Sequence, residues 1–298
     1  MRYEEDLNAV LMGITAGWDI PGMAVGIVEG DEITYTFCTG VQNLNTGIAV
    51  TPRSIFCTAS VSKCFVATTV MQLVHAGKID LDEPIVRYLP YFQMTDERYQ
   101  HITTRQLLSH TSGMPDFDEN EYDDLVSHPQ WDEGAAERFV RGLNGLTLLA
   151  NPGEEMHYSN IGYDILGDVI AKVSGKPFEE VIKAMTLAPA GMPGSTFLLS
   201  EVEQALLAVP HLRSPEMKVN PIYPYHRADA PASFLHASLE EMCHWAVTTL
   251  NRGEYNGTRL LPADMYDQMW TSVADRGYGR PGIYEDMGLG WTLGHFKG

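Results

Sequence analysis

Residues 55–77 constrain this chain most, because they place two reactive residue types at the start of a long apolar run. Ser60 stands three residues before Lys63, and a helix that begins near Ser60 would put both side chains on one face. The residues that follow leave little polar surface, so this helix is predicted to be buried. A buried lysine is costly unless it is paired or its pKa is lowered. Such an amine beside a hydroxyl group can activate a serine nucleophile.

The composition allows a large core and argues against two classes of partner. The 298 residues are 44% hydrophobic, which is enough for one large domain or for two subdomains. They include 39 acidic and 20 basic residues and carry a formal net charge of −19. Nucleic acids and anionic membrane surfaces are bound by clustered Lys and Arg, so we expect neither as a partner. The sequence has no run of 18 apolar residues, so a membrane span is not expected.

The N-terminus and the cysteines predict a cytoplasmic location. Residues 1–11 are acidic and lack the uninterrupted apolar core of a signal peptide, although an exported protein without its leader would look the same. The four cysteines have neither zinc-like spacing nor a C-x-x-C motif; they are Cys38, Cys57, Cys64 and Cys243. We expect Cys57 and Cys64, which flank Ser60, to pack as small apolar side chains.

The order of the predicted elements indicates an α+β fold. Two short apolar runs, residues 23–28 and 33–37, flank a Gly-Asp turn and predict a hairpin. The middle of the chain is predicted to be almost entirely helical, and residues 288–294, which begin with G-L-G-W, are predicted to form a strand. We therefore expect an antiparallel sheet flanked by helices, an α/β sandwich, with a large helical subdomain inserted into it. The sheet subdomain would comprise about residues 1–58 and 192–298, and the helical subdomain about residues 60–190.

Two segments are candidate binding loops. Residues 116–133 hold eight acidic side chains and no Lys or Arg, around aromatic residues that include Phe117. They would form either a solvated loop with a short helix or the acidic lip of a binding cleft. Residues 209–233 contain five prolines together with Tyr223 and Tyr225. That composition predicts an ordered irregular loop, which is a common location for binding residues.

Several common catalytic patterns are absent from the sequence. No serine has the G-x-S-x-G pattern of the α/β-hydrolases. There is no H-E-x-x-H, and the ten histidines are scattered singly, which argues against a metal site. There is also no G-x-G-x-x-G and no P-loop, so we expect no nucleotide or other cofactor.

A second element strengthens the pair of Ser60 and Lys63, which is the only S-x-x-K in the sequence. Tyr158, Ser159 and Asn160 stand directly before a clear amphipathic helical pattern. Tyr158 could share a proton with a neighbouring lysine, and Asn160 could donate to a substrate carbonyl. Ser159 or Asn160 could instead be only the N-cap of that helix, and these residues alone leave both interpretations open.

Three longer runs resemble one protein family. They are F-C-T-A-S-V-S-K at residues 56–63, R-Q-L-L-S-H-T-S-G-M-P at residues 105–115, and N-P-G-E-E-M-H-Y-S-N-I-G-Y-D-I-L-G at residues 151–167. Two shorter matches follow in the same order, at residues 188–197 and 251–262. Together they resemble the serine β-lactamase-related hydrolases, which include class C β-lactamases, D-alanyl-D-alanine carboxypeptidases and esterases of the same fold. The resemblance runs from about residue 20 to the end and implies a β-lactamase/transpeptidase-like fold.

The resemblance implies roles for individual residues. Ser60 would be the acylated nucleophile, Lys63 its proton-handling partner and Tyr158 the second member of the proton relay. Lysine and tyrosine both remain candidates for the acylation base, and the backbone N–H of Ser60 would be one oxyanion donor. His110 and Ser112, in the second run, are expected to be structural. The residues expected to contact the substrate are Asn160, Tyr223, Tyr225 and Phe117.

One part of the family pattern does not match. Family members carry a K-T-G or H-x-G motif after the G-L-G-W segment, on a strand that supplies the second oxyanion donor. The last residues here are H-F-K-G, residues 295–298, so the sequence predicts that the final strands and the C-terminal helix are missing. Such a chain would lose an oxyanion donor worth about 2.7–4 kcal/mol and would leave a sheet edge unpaired. A complementing C-terminal fragment or a second copy of the chain is then a candidate partner.

Two functional hypotheses follow. The first is a serine hydrolase that cleaves an ester, amide or β-lactam bond of a small molecule or peptide through an acyl-enzyme on Ser60. An esterase or a D-amino-acid-type peptidase ranks above a β-lactamase, because cell-wall and antibiotic targets lie outside the cytoplasm. The second is a non-catalytic family member that binds a peptide or a partner protein in a degenerate cleft. An unrelated α/β protein with an accidental S-x-x-K ranks last.

Overall fold

Helices make up most of the fold. The computed structural model describes residues 4–213, 215–276 and 286–295, and these residues form ten α-helices. The helices are α1 (Glu4–Gly17), α2 (Ser62–His75), α3 (Thr104–Leu108), α4 (Glu119–Ser127), α5 (Ala135–Gly142), α6 (Asn160–Ser174), α7 (Phe178–Ile182), α8 (Ala230–Ser233), α9 (Leu239–Leu250) and α10 (Ala263–Met269). Among the described residues, no helix combines the length and the apolar character needed to cross a membrane.

The strands form small antiparallel sheets. They are β1 (Gly22–Glu29), β2 (Glu32–Gly40), β3 (Ile55–Cys57), β4 (His211–Arg213), β5 (Met217–Val219), β6 (His236–Ser238), β7 (Glu254–Tyr255), β8 (Thr258–Arg259), β9 (Ala274–Asp275), β10 (Asp286–Met287) and β11 (Thr292–Leu293). The pairs are β1–β2, β3–β6, β4–β5 and β7–β8, and β9, β10 and β11 form a three-stranded sheet. The predicted α+β class and the antiparallel pairing are confirmed. In the described part of the chain, however, the strands belong to five separate sheets rather than to one.

The helical middle of the chain forms as predicted. Every regular element from α2 to the π-helical segment Lys183–Leu187 is helical, and short 3₁₀ turns connect several of them. The division into a sheet subdomain and a helical subdomain stays a prediction. What the structure adds is that α6 contacts α2, α5 and α8, so α6 is a central helix of this region.

Helix α2, which begins two residues after Ser60, is buried along almost its whole length. All of its residues except the last two are buried, and it packs on α6 and α8. Gly77 follows the C-cap with a left-handed φ of +69°, which ends the helix in the way that glycine allows. The predicted buried helix with a glycine stop is therefore present.

The strand predicted at residues 288–294 is only partly present, because Thr292–Leu293 form β11 whereas the G-L-G-W segment forms a turn. Residues 288–291 reverse the chain between β10 and β11. Gly290 has a φ of +78°, which a strand does not adopt, and a Cβ at this position would lie 2.2 Å from the Cβ of Ala67 in α2. The physical reason for the turn is thus the close packing of this glycine on the helix that carries Lys63.

The proline-rich residues 209–233 are more regular than predicted. They contain the β4–β5 hairpin and end in α8. The prolines permit this because Pro210, Pro215 and Pro221 lie outside the two strands, where no ladder N–H is required. Pro231 stands in the first turn of α8, where a proline is tolerated.

Candidate active site

A short strained turn presents Ser60. β3 pairs with β6 and leads into the 3₁₀ turn Ala59–Val61, from which α2 continues. Ala59 has a left-handed φ of +47°, which is uncommon for a residue other than glycine. Ser60 is exposed, whereas Ser62 is buried; the Ser62 hydroxyl donates to the Ala59 carbonyl at 2.6 Å and accepts the Leu235 N–H at 2.9 Å. The exposed serine is the one that a substrate can reach, and the buried serine anchors its turn.

The amine of Lys63 is buried and has three hydrogen-bond acceptors. Lys63 is 5% exposed, and its Nζ lies 3.2 Å from Ser60 Oγ. It also lies 2.7 Å from Asn160 Oδ1 and 2.8 Å from the carbonyl oxygen of Ala232. An ammonium group has three N–H donors, so its charged form is fully satisfied here. In the neutral form, Asn160 and Ala232 would accept the two remaining hydrogens, and the lone pair would face Ser60 Oγ.

Tyr158 contacts the same hydroxyl group as the lysine. Its phenol donates to Ser60 Oγ at 2.6 Å, and its ring centroid lies 4.9 Å from Lys63 Nζ. The ring stacks on the imidazole of His110, with the two centroids 4.4 Å apart. His110 is buried, and its Nδ1 accepts the backbone N–H of Ser159 at 3.1 Å. The three residues predicted to be catalytic are thus brought together, and His110 supports one of them, in agreement with its predicted structural role.

Asn160 is oriented by Asp116. The carboxylate of Asp116 accepts the backbone N–H of Asn160 at 2.9 Å and its side-chain Nδ2–H at 3.0 Å. This leaves the Oδ1 of Asn160 for the amine of Lys63. Ser159 is the N-cap of α6, because its hydroxyl accepts the Gly162 N–H at 3.1 Å. Ser159 therefore caps the helix and Asn160 contacts the lysine, whereas donation from Asn160 to a substrate carbonyl stays a prediction.

Burial and nearby carboxyl groups shift the pKa of Lys63 in opposite directions. Burial lowers the pKa of Lys63 from 10.5 to about 8. Three carboxyl groups oppose this decrease: Asp164, Asp229 and Asp116. With a pKa of about 8, the amine is neutral in about a tenth of the molecules at pH 7. Burial, together with the charge of Lys63, also lowers the pKa of His110 to about 3, so this imidazole is neutral.

Tyr223 and Phe117 are two further residues predicted to contact substrate. Tyr223 is half-buried and lines a cavity of about 380 Å³ together with Cys57, which precedes Ser60 by three residues. Its hydroxyl lies 3.0 Å from Nε2 of His236. Phe117 follows Asp116 directly and is half-buried, with its ring packed against core aromatic side chains. A role of either residue in substrate binding stays a prediction.

Tyr225, in contrast, is a core residue. It is 1% exposed, and its hydroxyl donates to the carbonyl oxygen of Phe197 at 3.1 Å. Its ring stacks on that of Trp131, with the centroids 4.9 Å apart. A tyrosine whose ring and hydroxyl are both satisfied inside the protein does not line a cleft, so the expectation for this residue is corrected.

Four residues of the cluster were not predicted from the sequence. Asp116 belongs to the acidic segment, where nothing distinguishes it from its neighbours, and Ala232 contributes only a main-chain oxygen. Asp164 and Asp229 are buried acids near the lysine. A signal for Asp164 does exist, because a carboxyl group one turn after Asn160 stands between Tyr163 and Ile165 in a mostly apolar helical segment.

The segment that would carry the third family motif lies mostly outside the described residues. Of the H-F-K-G run, only His295 is described, and it is exposed. The expectation that this motif and the elements after it are missing therefore stays a prediction.

Comparisons with known proteins agree on one family. The family model described as Beta-lactamase matches residues 13–298. Penicillin-binding protein 4 of Amycolatopsis lactamdurans is 30% identical over 284 residues, which are 92% of this chain and 70% of that protein. Protein flp of Staphylococcus aureus (strain MW2) is 27% identical over 233 residues, which are 78% of this chain and 46% of that protein. The chain thus spans about half the length of this and other curated relatives that it matches.

A solved structure with a similar fold is the octameric penicillin-binding protein homologue from Pyrococcus abyssi. It superimposes with a TM-score of 0.82 and is 25% identical in sequence. The superposition covers 96% of this chain and 64% of that chain.

Proposed function

Because the chain belongs to the beta-lactamase family, we propose that it is a serine hydrolase that opens an ester, amide or β-lactam bond through an acyl-enzyme on Ser60. The family and the β-lactamase/transpeptidase-like fold expected from the sequence are both confirmed. One observation carries the proposal: Ser60 Oγ lies within hydrogen-bond distance of both Lys63 Nζ and Tyr158 Oη. Serine is a weak nucleophile unless a neighbouring group takes its proton, and here two such groups contact it.

In the proposed acylation step, Ser60 Oγ attacks the carbonyl carbon of the substrate. Its proton passes to the neutral amine of Lys63 or to the phenolate of Tyr158. The carbonyl oxygen becomes an oxyanion, for which the backbone N–H of Ser60 is the proposed donor. When the tetrahedral intermediate collapses, the bond to the leaving group breaks and the leaving group takes the proton from the relay. The acyl group remains as an ester on Ser60.

Deacylation would use the same groups in the reverse order. The relay accepts a proton from water, and the resulting hydroxide attacks the ester carbonyl of the acyl-enzyme. Collapse of the second tetrahedral intermediate breaks the bond to Ser60 Oγ, which takes the proton back. The carboxylic acid leaves, and Ser60 and Lys63 return to their starting protonation states.

Within this class we favour an esterase or a D-amino-acid-type peptidase. The acidic residues 116–133 begin with Asp116, which contacts Asn160 beside the amine. A negative field at the site disfavours anionic substrates, and penicillins carry a carboxylate.

Covalent labelling with a fluorophosphonate probe tests this function. We expect a single mass increase that maps to Ser60 and that is lost in Ser60→Ala. Ser62→Ala is the matched control: it should keep the label, because the Ser62 hydroxyl bonds to Ala59 and Leu235 rather than to the relay. It should lose about 1–3 kcal/mol of unfolding free energy, because it leaves the buried Leu235 N–H without an acceptor. A folded wild type without any mass increase, or an unchanged increase in Ser60→Ala, would disprove the proposal.

The alternative is a non-catalytic family member that binds a peptide or a partner protein in the same cleft. It predicts that the folded protein takes no covalent label, so the labelling experiment separates the two functions. The short distances from Ser60 to the amine and the phenol favour the catalytic alternative.

A further inference from the structure

A pair of buried aspartates lies next to the amine of Lys63. Asp164 follows Asn160 by one turn of α6, so their side chains share a helix face. Asp229 immediately precedes α8 and stands three residues before Ala232. Asn160 and Ala232 both accept a hydrogen bond from Lys63 Nζ, so each aspartate lies about one turn from a residue that contacts the amine.

The two aspartates are close together because α6 and α8 pack tightly. Gly167 lies on the same face of α6 as Asp164, and a Cβ on it would come within 2.2 Å of the Cγ of Pro231 in α8. Asp164 and Asp229 are each 1% exposed, and each carboxyl group lies close enough to the other to affect its pKa. Within the described residues, no other group donates a hydrogen bond to any of the four carboxyl oxygens.

Such a pair is satisfied only when one member keeps a proton. Two carboxylates in contact repel each other, and burial penalises both charges, so the pKa of each aspartate is raised. A hydrogen bond between two carboxyl groups needs one protonated partner as the donor. The arrangement with one protonated and one ionised carboxyl group forms this bond and leaves a single negative charge on the pair.

We propose that Asp164 and Asp229 share one proton, and that the single negative charge left on the pair is the buried counter-charge that sets the pH at which Lys63 becomes a base. The consequence for catalysis rests on the proposed function, whereas the charge of the pair does not. Burial alone would favour a permanently neutral amine, which could not return a proton to a leaving group. The counter-charge keeps both protonation states of Lys63 accessible near neutral pH, as a proton relay requires.

Other titratable groups surround the amine and the pair. They are Asp116, His110, Tyr158, Tyr163, Tyr122 and Cys57. Burial raises the pKa of Tyr122 and of Cys57 and lowers that of His110, so these three groups are neutral near pH 7. Asp116 adds a negative charge near Lys63, and this charge is the same in every variant of the pair.

The test is the titration of Lys63 by NMR in protein that contains ¹³Cε-lysine, with Lys63→Met used only to assign the signal. Asparagine has nearly the shape of aspartic acid and is neutral, so either D164N or D229N should leave the other carboxyl group ionised. We therefore expect the titration midpoint of Lys63 to change little in each single variant. In D164N/D229N the charge is gone, and the midpoint should fall by about one pH unit.

Two NMR results would overturn the proposal. If each single variant lowers the midpoint by about half of the shift in D164N/D229N, the pair carries two charges. If D164N/D229N leaves the midpoint unchanged, the pair carries none. The matched control is D168N, because Asp168 is also buried on α6, one turn further along, and accepts a hydrogen bond from Tyr91 at 2.6 Å. D168N should leave the titration of Lys63 unchanged.

An infrared measurement decides the same question if D164N/D229N does not fold. Near pH 8 the wild type should show the C=O band of a protonated carboxyl group that D164N and D229N both lose and that D168N keeps. A band that survives in both single variants would contradict the shared proton. Neither measurement requires catalysis, so an unlabelled Ser60 would disprove the proposed function and leave the charge of the pair as measured.

Discussion

Two residues with strained backbones border the proposed catalytic groups. Ala59 and His110 are among five non-glycine residues with a left-handed backbone in the described part of the chain. Ala59 directly precedes Ser60, and His110 stacks on Tyr158. A left-handed conformation costs about 1–2 kcal/mol for a residue with a Cβ. The surrounding packing, rather than local preference, must therefore hold the Ser60 hydroxyl and the Tyr158 phenol in place.

The buried imidazole of His110 predicts a loss of stability in acid. Its folded-state pKa of about 3 lies below the ordinary 6.5, so as the pH falls below 6.5 the unfolded chain binds the proton first. The contribution to stability is intact above pH 6.5 and decreases progressively toward pH 3, and it amounts to about 2 kcal/mol between pH 7 and pH 5. Asparagine suits a left-handed backbone and does not titrate here. When the pH falls from 7 to 5, His110→Asn should therefore lose about 2 kcal/mol less unfolding free energy than the wild type.

Urea unfolding at pH 7 and pH 5 measures this difference. His226 and His236 are also buried histidines, but they are present in both proteins and cancel in the comparison. The exposed His75 provides a control, and His75→Asn should follow the wild type. If His110→Asn and the wild type lose the same unfolding free energy between pH 7 and pH 5, His110 is not a buried neutral imidazole.

Asp116 is predicted to act by holding the amide of Asn160. In Asp116→Asn, an amide group would face the Nδ2 of Asn160, so the Asn160 amide would turn and present its NH₂ group to Lys63. We expect the rate of Ser60 labelling to fall about tenfold or more, because the lysine loses a fixed acceptor. The deficit should persist above pH 9, where Lys63 is neutral and the charge of Asp116 no longer affects its protonation.

Asp118→Asn is the control for this prediction. Asp118 is exposed and caps α4 by accepting the N–H of Glu121 at 2.9 Å. The side-chain oxygen of an asparagine can accept the same bond, so Asp118→Asn should leave both the stability and the labelling rate nearly unchanged. A normal labelling rate in Asp116→Asn above pH 9 would reduce the role of Asp116 to its charge.

At the scale of elements, the site depends on the contact between α6 and α8. Gly167→Ala would place a methyl group against the rigid ring of Pro231, so α8 would have to move away. We expect a loss of about 1–3 kcal/mol in unfolding free energy. The labelling rate should also fall, because α8 carries the Ala232 carbonyl that binds Lys63. Urea unfolding and fluorophosphonate labelling measure the two effects.

A glycine without neighbours provides the control for this substitution. A Cβ at Gly13, inside α1, would meet no atom within 4 Å, so Gly13→Ala should raise stability by up to about 1 kcal/mol and leave labelling unchanged. If Gly167→Ala behaves like Gly13→Ala, the tight contact between the two helices is not needed for the site.

The elements that could be predicted from the sequence are those whose burial is decided locally. The helices that follow Ser60 and Ser159 are long periodic segments, and both form where they are expected. The G-L-G-W segment differs, because whether Gly290 continues a strand or turns depends on its packing against α2, which is distant in the sequence. Strand pairing in separate small sheets is likewise a property of the whole chain and not of any window in it.

The same distinction applies to the site. The sequence could predict that four residues meet, because they stand in short motifs whose spacing carries chemical information: Ser60, Lys63, Tyr158 and Asn160. The roles of Asp116, Ala232 and the acid pair depend on which loops meet in space. Tyr225 shows the opposite error, since an aromatic residue in a proline-rich loop can belong to the core.

At the scale of the whole molecule, the net charge of −19 predicts a charge preference. The acidic residues 116–133 border the site through Asp116, and α4 contributes further carboxylates. At low salt, a cationic p-nitrophenyl ester should be hydrolysed with a kcat/KM about tenfold higher than an anionic ester of similar size. High salt should abolish the difference, because it screens exposed charges.

Neutralising two exposed carboxylates tests the origin of this preference. Asp123→Asn/Asp124→Asn in α4 should reduce the ratio of the two kcat/KM values and leave the hydrolysis of a neutral ester unchanged. A ratio that is independent of salt and unaffected by these substitutions would rule out a long-range field as the cause.

The partners of Ser60 and Lys63 come from distant parts of the chain. Tyr158 is 98 residues from Ser60 in the sequence, and Asn160 and Ala232 are 97 and 169 residues from Lys63. In the unfolded chain the lysine has an ordinary pKa of about 10.4 and no contact with these groups. We therefore expect Ser60, the proposed nucleophile, to become reactive only when the last of these segments has docked during folding. Covalent labelling of Ser60 should then count fully folded molecules, and its time course after dilution from denaturant should report the slowest step of tertiary assembly.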